Sequence, residues 1–154
     1  MNGRVFGIGL GPGDPDLISV KAHRLLQGAA HVAYFRKAGR PGQARRLANG
    51  MIPEGAEELP MEYPVTTEIP VSDPRYNTML SGFYCDCVER LTTITESGDD
   101  VVVLCEGDPF FYGSFMHLHE RLKGRIPVEV VPAITGMSAA WTATGAPITW
   151  ATMS

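Results

Sequence analysis

Cysteine is scarce in this sequence, and so are long hydrophobic runs. The first shortage argues against a disulfide-stabilised protein, and the second argues against a membrane-spanning one. Only three cysteines occur in 154 residues, and two of them, Cys85 and Cys87, are too close in sequence for an ordinary structural disulfide. We therefore expect reduced thiols and a cytoplasmic protein. No apolar run approaches the ~18 residues that a membrane span needs. Residues 1–4 lead straight into a strand-like segment, so no signal-peptide hydrophobic region is predicted.

The net charge is small and negative, which argues against non-specific binding of nucleic acid. Lysine and arginine number 13 against 17 aspartates and glutamates, which gives a net charge of −4. A protein of this charge is not expected to bind nucleic acid non-specifically. Apolar residues make up 44% of the chain and charged residues 19%, which is typical of a folded globular protein rather than a disordered one. The length corresponds to one domain.

Apolar runs and helical patterns alternate along the chain. Strands are predicted at residues 5–9, 31–35, 101–105 and 128–131, with a short one at 58–61. Helices are predicted at residues 17–26, 43–49, 114–122 and 135–144, and the clearest helix is capped by Asp73 and ended by Gly98. Because strands alternate with helices, we predict an α/β fold with a mostly parallel sheet flanked by helices.

Three glycine-bearing turns follow three of the predicted strands. They lie at residues 7–15, 106–113 and 131–138. Ligands of open α/β sheets collect beyond the carboxyl ends of the strands. Three such turns at one edge of a sheet therefore predict a single cleft, built largely from backbone groups.

The first of these turns does not match the dinucleotide-binding pattern. Counted from Gly7 and Gly9, the third glycine of that pattern would fall on Pro12, and counted from Gly9 and Gly11 it would fall on Asp14. No acidic residue ends the second predicted strand either. A nucleotide-dependent oxidoreductase is therefore a distant alternative.

Together the three turns resemble those of the tetrapyrrole methylase family. The resemblance rests on GIGLGPGDPDLIS at residues 7–19, GDPFFYG at 107–113 and PAITGMSA at 132–139, in the family's order and spacing. The third motif has Ala133 where the family usually has glycine. The resemblance implies a two-domain enzyme, usually a homodimer, with residues 1–146 as its N-terminal α/β domain. Residues 147–154 would then begin an interdomain linker, and the C-terminal domain would be absent.

The resemblance also implies a methyl donor, S-adenosyl-L-methionine, whose product is S-adenosyl-L-homocysteine. Carried over position by position, the implied donor site consists of Pro12, Glu106, Gly107, Asp108, Phe111, Thr135 and Gly136. The residue types fit this role, since Gly107 lets backbone amides approach a ligand closely and Asp108 can accept hydrogen bonds from the amino-bearing end of the donor.

Residues 110–116 and the helix capped by Asp73 look most like the branch of the family that methylates C(20) of precorrin-2 in cobalamin biosynthesis. Such an acceptor is a tetrapyrrole that carries many carboxylates. The predicted substrate-binding residues are Gly13, Asp14, Arg36, Lys37 and Arg40, and Arg45 and Arg46 extend the same basic cluster. Guanidinium groups can grip carboxylates in pairs. A solvated basic loop explains this cluster equally well.

No catalytic base is assigned by the sequence. Asp14, Asp108 and Tyr112 are candidates by position for taking the proton that leaves the methylated carbon. No metal site is predicted, because Cys85 and Cys87 lie two residues apart on a helix and so face nearly opposite directions. Two rival hypotheses stay open: a family member with another acceptor, such as a different tetrapyrrole position, a modified histidine or ribosomal RNA, and a domain that folds and binds without catalysing a reaction.

Overall fold

The computed structural model describes residues 2–64 and 69–151, in which strands and helices alternate. The strands are β1 (Val5–Gly9), β2 (His31–Arg36), β3 (Glu57–Glu62), β4 (Val101–Cys105) and β5 (Val128–Val131). The α-helices are α1 (Val20–Gln27), α2 (Gln43–Leu47), α3 (Pro74–Glu96), α4 (Phe115–Leu122) and α5 (Gly136–Ala143). None of these helices is both long enough and apolar enough to cross a membrane.

The five strands form one sheet in the order β3-β2-β4-β1-β5, and every pairing in it is parallel. The predicted α/β fold is therefore confirmed. From β2 the chain moves towards β3 on one side, whereas from β4 it moves towards β5 on the other. The boundary between β2 and β4 is thus a topological switch point, where the loops that follow the two strands diverge and leave a crevice.

Helices cover both faces of the sheet. On one face α3 and α4 pack through Leu91 and Leu118 against Val103 of β4, and on the other α1 packs through Leu26 against Leu104. Successive residues of β4 therefore enter opposite cores, and all five of its residues are buried. This double burial explains why the strand is apolar throughout rather than alternating.

One predicted helix begins later than the sequence pattern indicated, and another begins at its predicted cap. α1 begins at Val20 rather than Leu17, because the Ser19 hydroxyl caps it by accepting a hydrogen bond from the backbone N–H of Ala22 at 3.1 Å. Residues Pro15–Leu17 form a separate 3-10 turn. The cap predicted for α3 is confirmed, since a carboxylate oxygen of Asp73 accepts from the N–H of Arg75 at 2.9 Å.

The cysteines lie as the helical spacing predicted. Cys85 is exposed on α3, whereas Cys87 is buried in the core beneath it. Burial raises the pKa of the Cys87 thiol to about 11, so this thiol stays protonated near neutral pH. Of the predicted linker at 147–154, residues 152–154 lie outside the described residues, and residues 147–151 are exposed and belong to no helix or strand.

The end of β1 is crowded by two later turns of the chain. A Cβ atom on Gly9 would lie 2.5 Å from the Cβ of Ala133 and 2.7 Å from the carbonyl oxygen of Gly107. Only a residue without a side chain fits here. This close approach lets the turns after β4 and β5 converge on the turn after β1.

We predict that Gly9→Ala and Gly82→Ala change stability in opposite directions. The first substitution forces the two turns apart and is expected to lower the free energy of unfolding by about 1–3 kcal/mol. Gly82 lies exposed within α3, and an added Cβ there would meet no described atom within 4 Å beyond the helix's own backbone, so alanine is expected to stabilise the helix by about 0.5–1 kcal/mol. Denaturant unfolding of both variants measures the difference. Equal stability of the two variants would contradict the convergence of the turns on Gly9.

Candidate functional site

A cleft of about 670 Å³ opens beyond the carboxyl ends of the strands, at the switch point of the sheet. Its volume lies within the range of ordinary small-molecule sites. The cleft is lined by the three glycine-bearing turns, by the end of β2 and the segment after it, and by the residue after β3. The lining residues include Pro12, Arg36, Lys37, Arg40, Arg46, Tyr63, Glu106, Gly107, Asp108, Phe111, Tyr112, Ser114, Thr135 and Gly136. The structure thus brings together every residue of the predicted donor set.

Two backbone hydrogen bonds join the first and second turns. The N–H of Gly107 donates to the carbonyl oxygen of Gly11 at 3.0 Å, and the N–H of Gly11 donates to the carbonyl oxygen of Gly107 at 3.3 Å. Gly107 has a φ of +62°, in the left-handed region that favours glycine. The pair of bonds holds Pro12 next to the turn after β4.

The carboxylate of Asp108 joins the second and third turns. One oxygen accepts from the N–H of Phe110 at 2.9 Å, and the other accepts from the N–H of Ala133 at 2.8 Å. The sequence suggested that this carboxylate faces the amino-bearing end of a ligand. In the structure both of its oxygens already accept backbone hydrogen bonds, so its first task is to position the turns.

The third turn leads directly into α5. The Thr135 hydroxyl caps this helix by accepting from the N–H of Ser138 at 3.2 Å. At both Gly107 and Gly136 an added Cβ would meet no described atom within 4 Å outside its own local backbone. The backbone at these two glycines is therefore open to a molecule in the cleft.

The basic cluster divides into paired and unpaired groups. Arg36 binds Glu62 through Nε at 3.0 Å and Nη2 at 2.5 Å, and Arg45 binds Glu58 at 2.6 Å. The Arg45 guanidinium holds the pKa of Glu58 below its ordinary value. Arg45 does not line the cleft. The expectation that all five cations bind the carboxylates of an acceptor is therefore wrong for Arg45.

The unpaired cations are Lys37, Arg40 and Arg46. All three line the cleft, and within residues 2–64 and 69–151 none of them forms an ion pair. They follow β2, whereas Glu106 follows β4, the strand next to β2 in the sheet. The cleft therefore has a basic end and an acidic end.

A cluster of aromatic rings lies beside the basic end of the cleft. Its central residue is Tyr63, which the sequence analysis did not identify. The Tyr63 ring stacks on Phe35 with centroids 5.6 Å apart and contacts Phe83 at 5.2 Å. Its hydroxyl hydrogen-bonds to the hydroxyl of Ser114. Burial raises the pKa of Tyr63 to about 12, so the phenol is neutral at physiological pH. The position of Tyr63 just after a predicted strand was the one feature of the sequence that could have indicated a place at the cleft.

The predicted substrate residues of the first turn lie elsewhere. Gly13 and Asp14 are exposed and do not line the cleft. The Asp14 carboxylate accepts a hydrogen bond from the N–H of Asp16 at 2.9 Å and caps the 3-10 turn. Of the three candidate bases, Asp108 and Tyr112 therefore lie at the cleft and Asp14 does not.

Comparisons with known proteins find relatives over nearly the whole chain. The model of a family described as Tetrapyrrole (Corrin/Porphyrin) Methylases matches residues 4–153. Precorrin-2 C(20)-methyltransferase of Sinorhizobium sp is 49% identical over 146 residues, which cover 95% of this chain and 60% of that protein.

Two solved structures share the fold over nearly the whole chain. The cobalt precorrin-4 methyltransferase CbiF has a TM-score of 0.61 and 32% identity, and the match covers 96% of this chain and 52% of that one. Uroporphyrin-III C-methyltransferase from Thermus thermophilus, in complex with S-adenosylhomocysteine, has a TM-score of 0.60 and 29% identity, with 96% of this chain and 50% of that one covered.

The chain thus spans 60% of the Sinorhizobium relative and about half of each solved chain. The family model, by contrast, covers this chain almost from end to end, including all three glycine-bearing turns and the sheet edge where they meet. The chain belongs to the tetrapyrrole methylase family.

Proposed function

We propose that the protein transfers a methyl group from S-adenosylmethionine to C(20) of precorrin-2 in cobalamin biosynthesis. The separation of acidic and basic ends in one cleft carries this proposal, because the reaction joins a cationic donor to a polyanionic acceptor. The Sinorhizobium relative, which is 49% identical, carries the name of this activity. We retain the assignment of residues 1–146 as an N-terminal α/β domain as a prediction.

The acidic end of the cleft fits the donor. Glu106 lines the cleft and forms no ion pair within the described residues, so its carboxylate is available to the donor's ammonium and sulfonium charges. The open backbone at Gly107 and Gly136 would accommodate a closely bound ligand. Pro12 and Phe111 add apolar surface beside these groups. When bound, S-adenosylmethionine supplies a methyl group already activated by the sulfonium.

The basic end of the cleft fits the acceptor. Lys37, Arg40 and Arg46 are available to bind the peripheral carboxylates of a tetrapyrrole, since none of them is neutralised by a described neighbour. Glu62 holds the Arg36 guanidinium at the side of the cleft. Charge-assisted hydrogen bonds of this kind are stronger and more directional than neutral ones.

The protein's main contribution would be alignment. With the donor activated in advance, holding the two reactants in order can account for about 7–11 kcal/mol of the barrier. The carboxylate bridge of Asp108 and the Gly11–Gly107 pair serve this purpose, because they fix the donor side of the cleft relative to the sheet.

We predict that Glu106→Gln weakens binding of S-adenosylhomocysteine about tenfold, because the variant loses a charged acceptor for the ligand's ammonium group. Calorimetric titration of the full-length protein gives the dissociation constants. The matched control is Glu54→Gln, which removes an equivalent exposed charge far from the cleft. If both variants bind S-adenosylhomocysteine as tightly as the unaltered protein does, the acidic end does not hold the donor. If the unaltered protein does not bind this ligand, the proposed reaction itself is contradicted.

We also predict that replacing Arg40 and Arg46 together by Gln raises the KM for precorrin-2 about tenfold or more with little change in kcat. The reason is that both side chains would bind parts of the acceptor that do not react, in ground state and transition state alike. Steady-state kinetics at low and high salt measure the effect, which should shrink as salt rises. Arg24→Gln, on the exposed side of α1, is the control. An unchanged KM in the double variant would contradict the assignment of the acceptor to the basic end.

A further inference from the structure

Tyr112 has a backbone conformation that tyrosine rarely adopts. Its φ is +55°, and among the described residues it is the one non-glycine residue with a positive φ. In this left-handed region the Cβ of an L-residue crowds its own backbone, a cost that glycine avoids. Tyrosine at this position is therefore unfavourable for the local backbone.

The packing of the Tyr112 ring does not offset this cost. The residue is 91% exposed, more than any other large hydrophobic residue among those described. Its one aromatic neighbour within the described chain is Phe111, whose ring lies edge-on to it with centroids 4.9 Å apart. The fold alone thus gives little reason for an aromatic ring here.

The location of the ring supplies a reason. Tyr112 and Phe111 both line the cleft, whereas the neighbouring Phe110 does not line it and packs against His119 with centroids 4.8 Å apart. A strained residue beside a binding site is a recognised sign of function. Aromatic rings bind flat conjugated ligands by stacking, with little dependence on hydrogen bonding.

We propose that Tyr112 binds a flat conjugated ring in the cleft by stacking, and so acts as a binding residue rather than as a base. The inference rests on the proposed function, which supplies two such partners: the adenine of the donor and the conjugated segments of the acceptor's macrocycle. The strained turn holds the ring at the cleft before either ligand arrives, which reduces the ordering needed on binding.

The test compares Tyr112→Gly with Tyr112→Phe in the full-length protein. Glycine relieves the backbone, so the melting temperature is expected to rise by about 2–4 °C. Affinity for a stacked ligand is expected to fall about tenfold in the same variant. Phenylalanine keeps the ring and should keep the affinity. Phe110→Ala removes an aromatic ring of the same turn from outside the cleft and is the control, with affinity expected to stay unchanged.

Two titrations identify the ring that is bound. A loss of affinity for S-adenosylhomocysteine assigns the contact to adenine, and a loss for uroporphyrin III, a stable carboxylated porphyrin, assigns it to the macrocycle. Unchanged affinity of Tyr112→Gly for both ligands overturns the proposal. Equal losses in the Phe and Gly variants also overturn it, because they assign the role to the hydroxyl. Failure of the unaltered protein to bind either ligand removes the proposed function, and with it both rings.

Discussion

The cleft depends on the carboxylate of Asp108, which holds two separate turns through one side chain. Its oxygens accept hydrogen bonds from the N–H groups of Phe110 and Ala133, which are 23 positions apart in the sequence. A hydrogen bond to a charged group contributes about 1.5–3 kcal/mol, more than a neutral one. The close approach of Gly107 and Ala133 to Gly9, and the pairing of β4 and β5 with β1, further limit the separation of the two turns.

Electrostatic pairing decides which charges in the cleft are left for a ligand. β2 and β3 are neighbours in a register that places Arg36 opposite Glu62. This pairing, together with that of Arg45 and Glu58, neutralises two of the five cations at and just after the end of β2. The remaining cations follow β2 and Glu106 follows the neighbouring strand β4, so the cleft has a basic and an acidic side.

Local patterns in the sequence predicted the strands and the three turns because each has a local physical cause: an apolar run, a glycine or a capping side chain. The same patterns predicted that the three turns share one cleft, since the carboxyl ends of parallel strands lie at one edge; the predicted donor set came from the family resemblance. They did not predict the Arg36–Glu62 pair, which depends on strand order and register. They also missed Tyr63, whose contacts with Phe35 and Ser114 come from distant parts of the chain, and the positive φ of Tyr112, which no composition rule indicates.

The central claim, that the Asp108 carboxylate fixes the geometry of the cleft, is tested most directly by amide hydrogen exchange in Asp108→Asn. An amide side chain of the same shape keeps at most one acceptor oxygen for the two backbone donors. We therefore expect faster exchange at Ala133 or Phe110, together with weaker binding of S-adenosylhomocysteine, while the amide of Val103 in β4 keeps its protection. Unchanged exchange at both turn amides, with unchanged ligand affinity, would contradict the account.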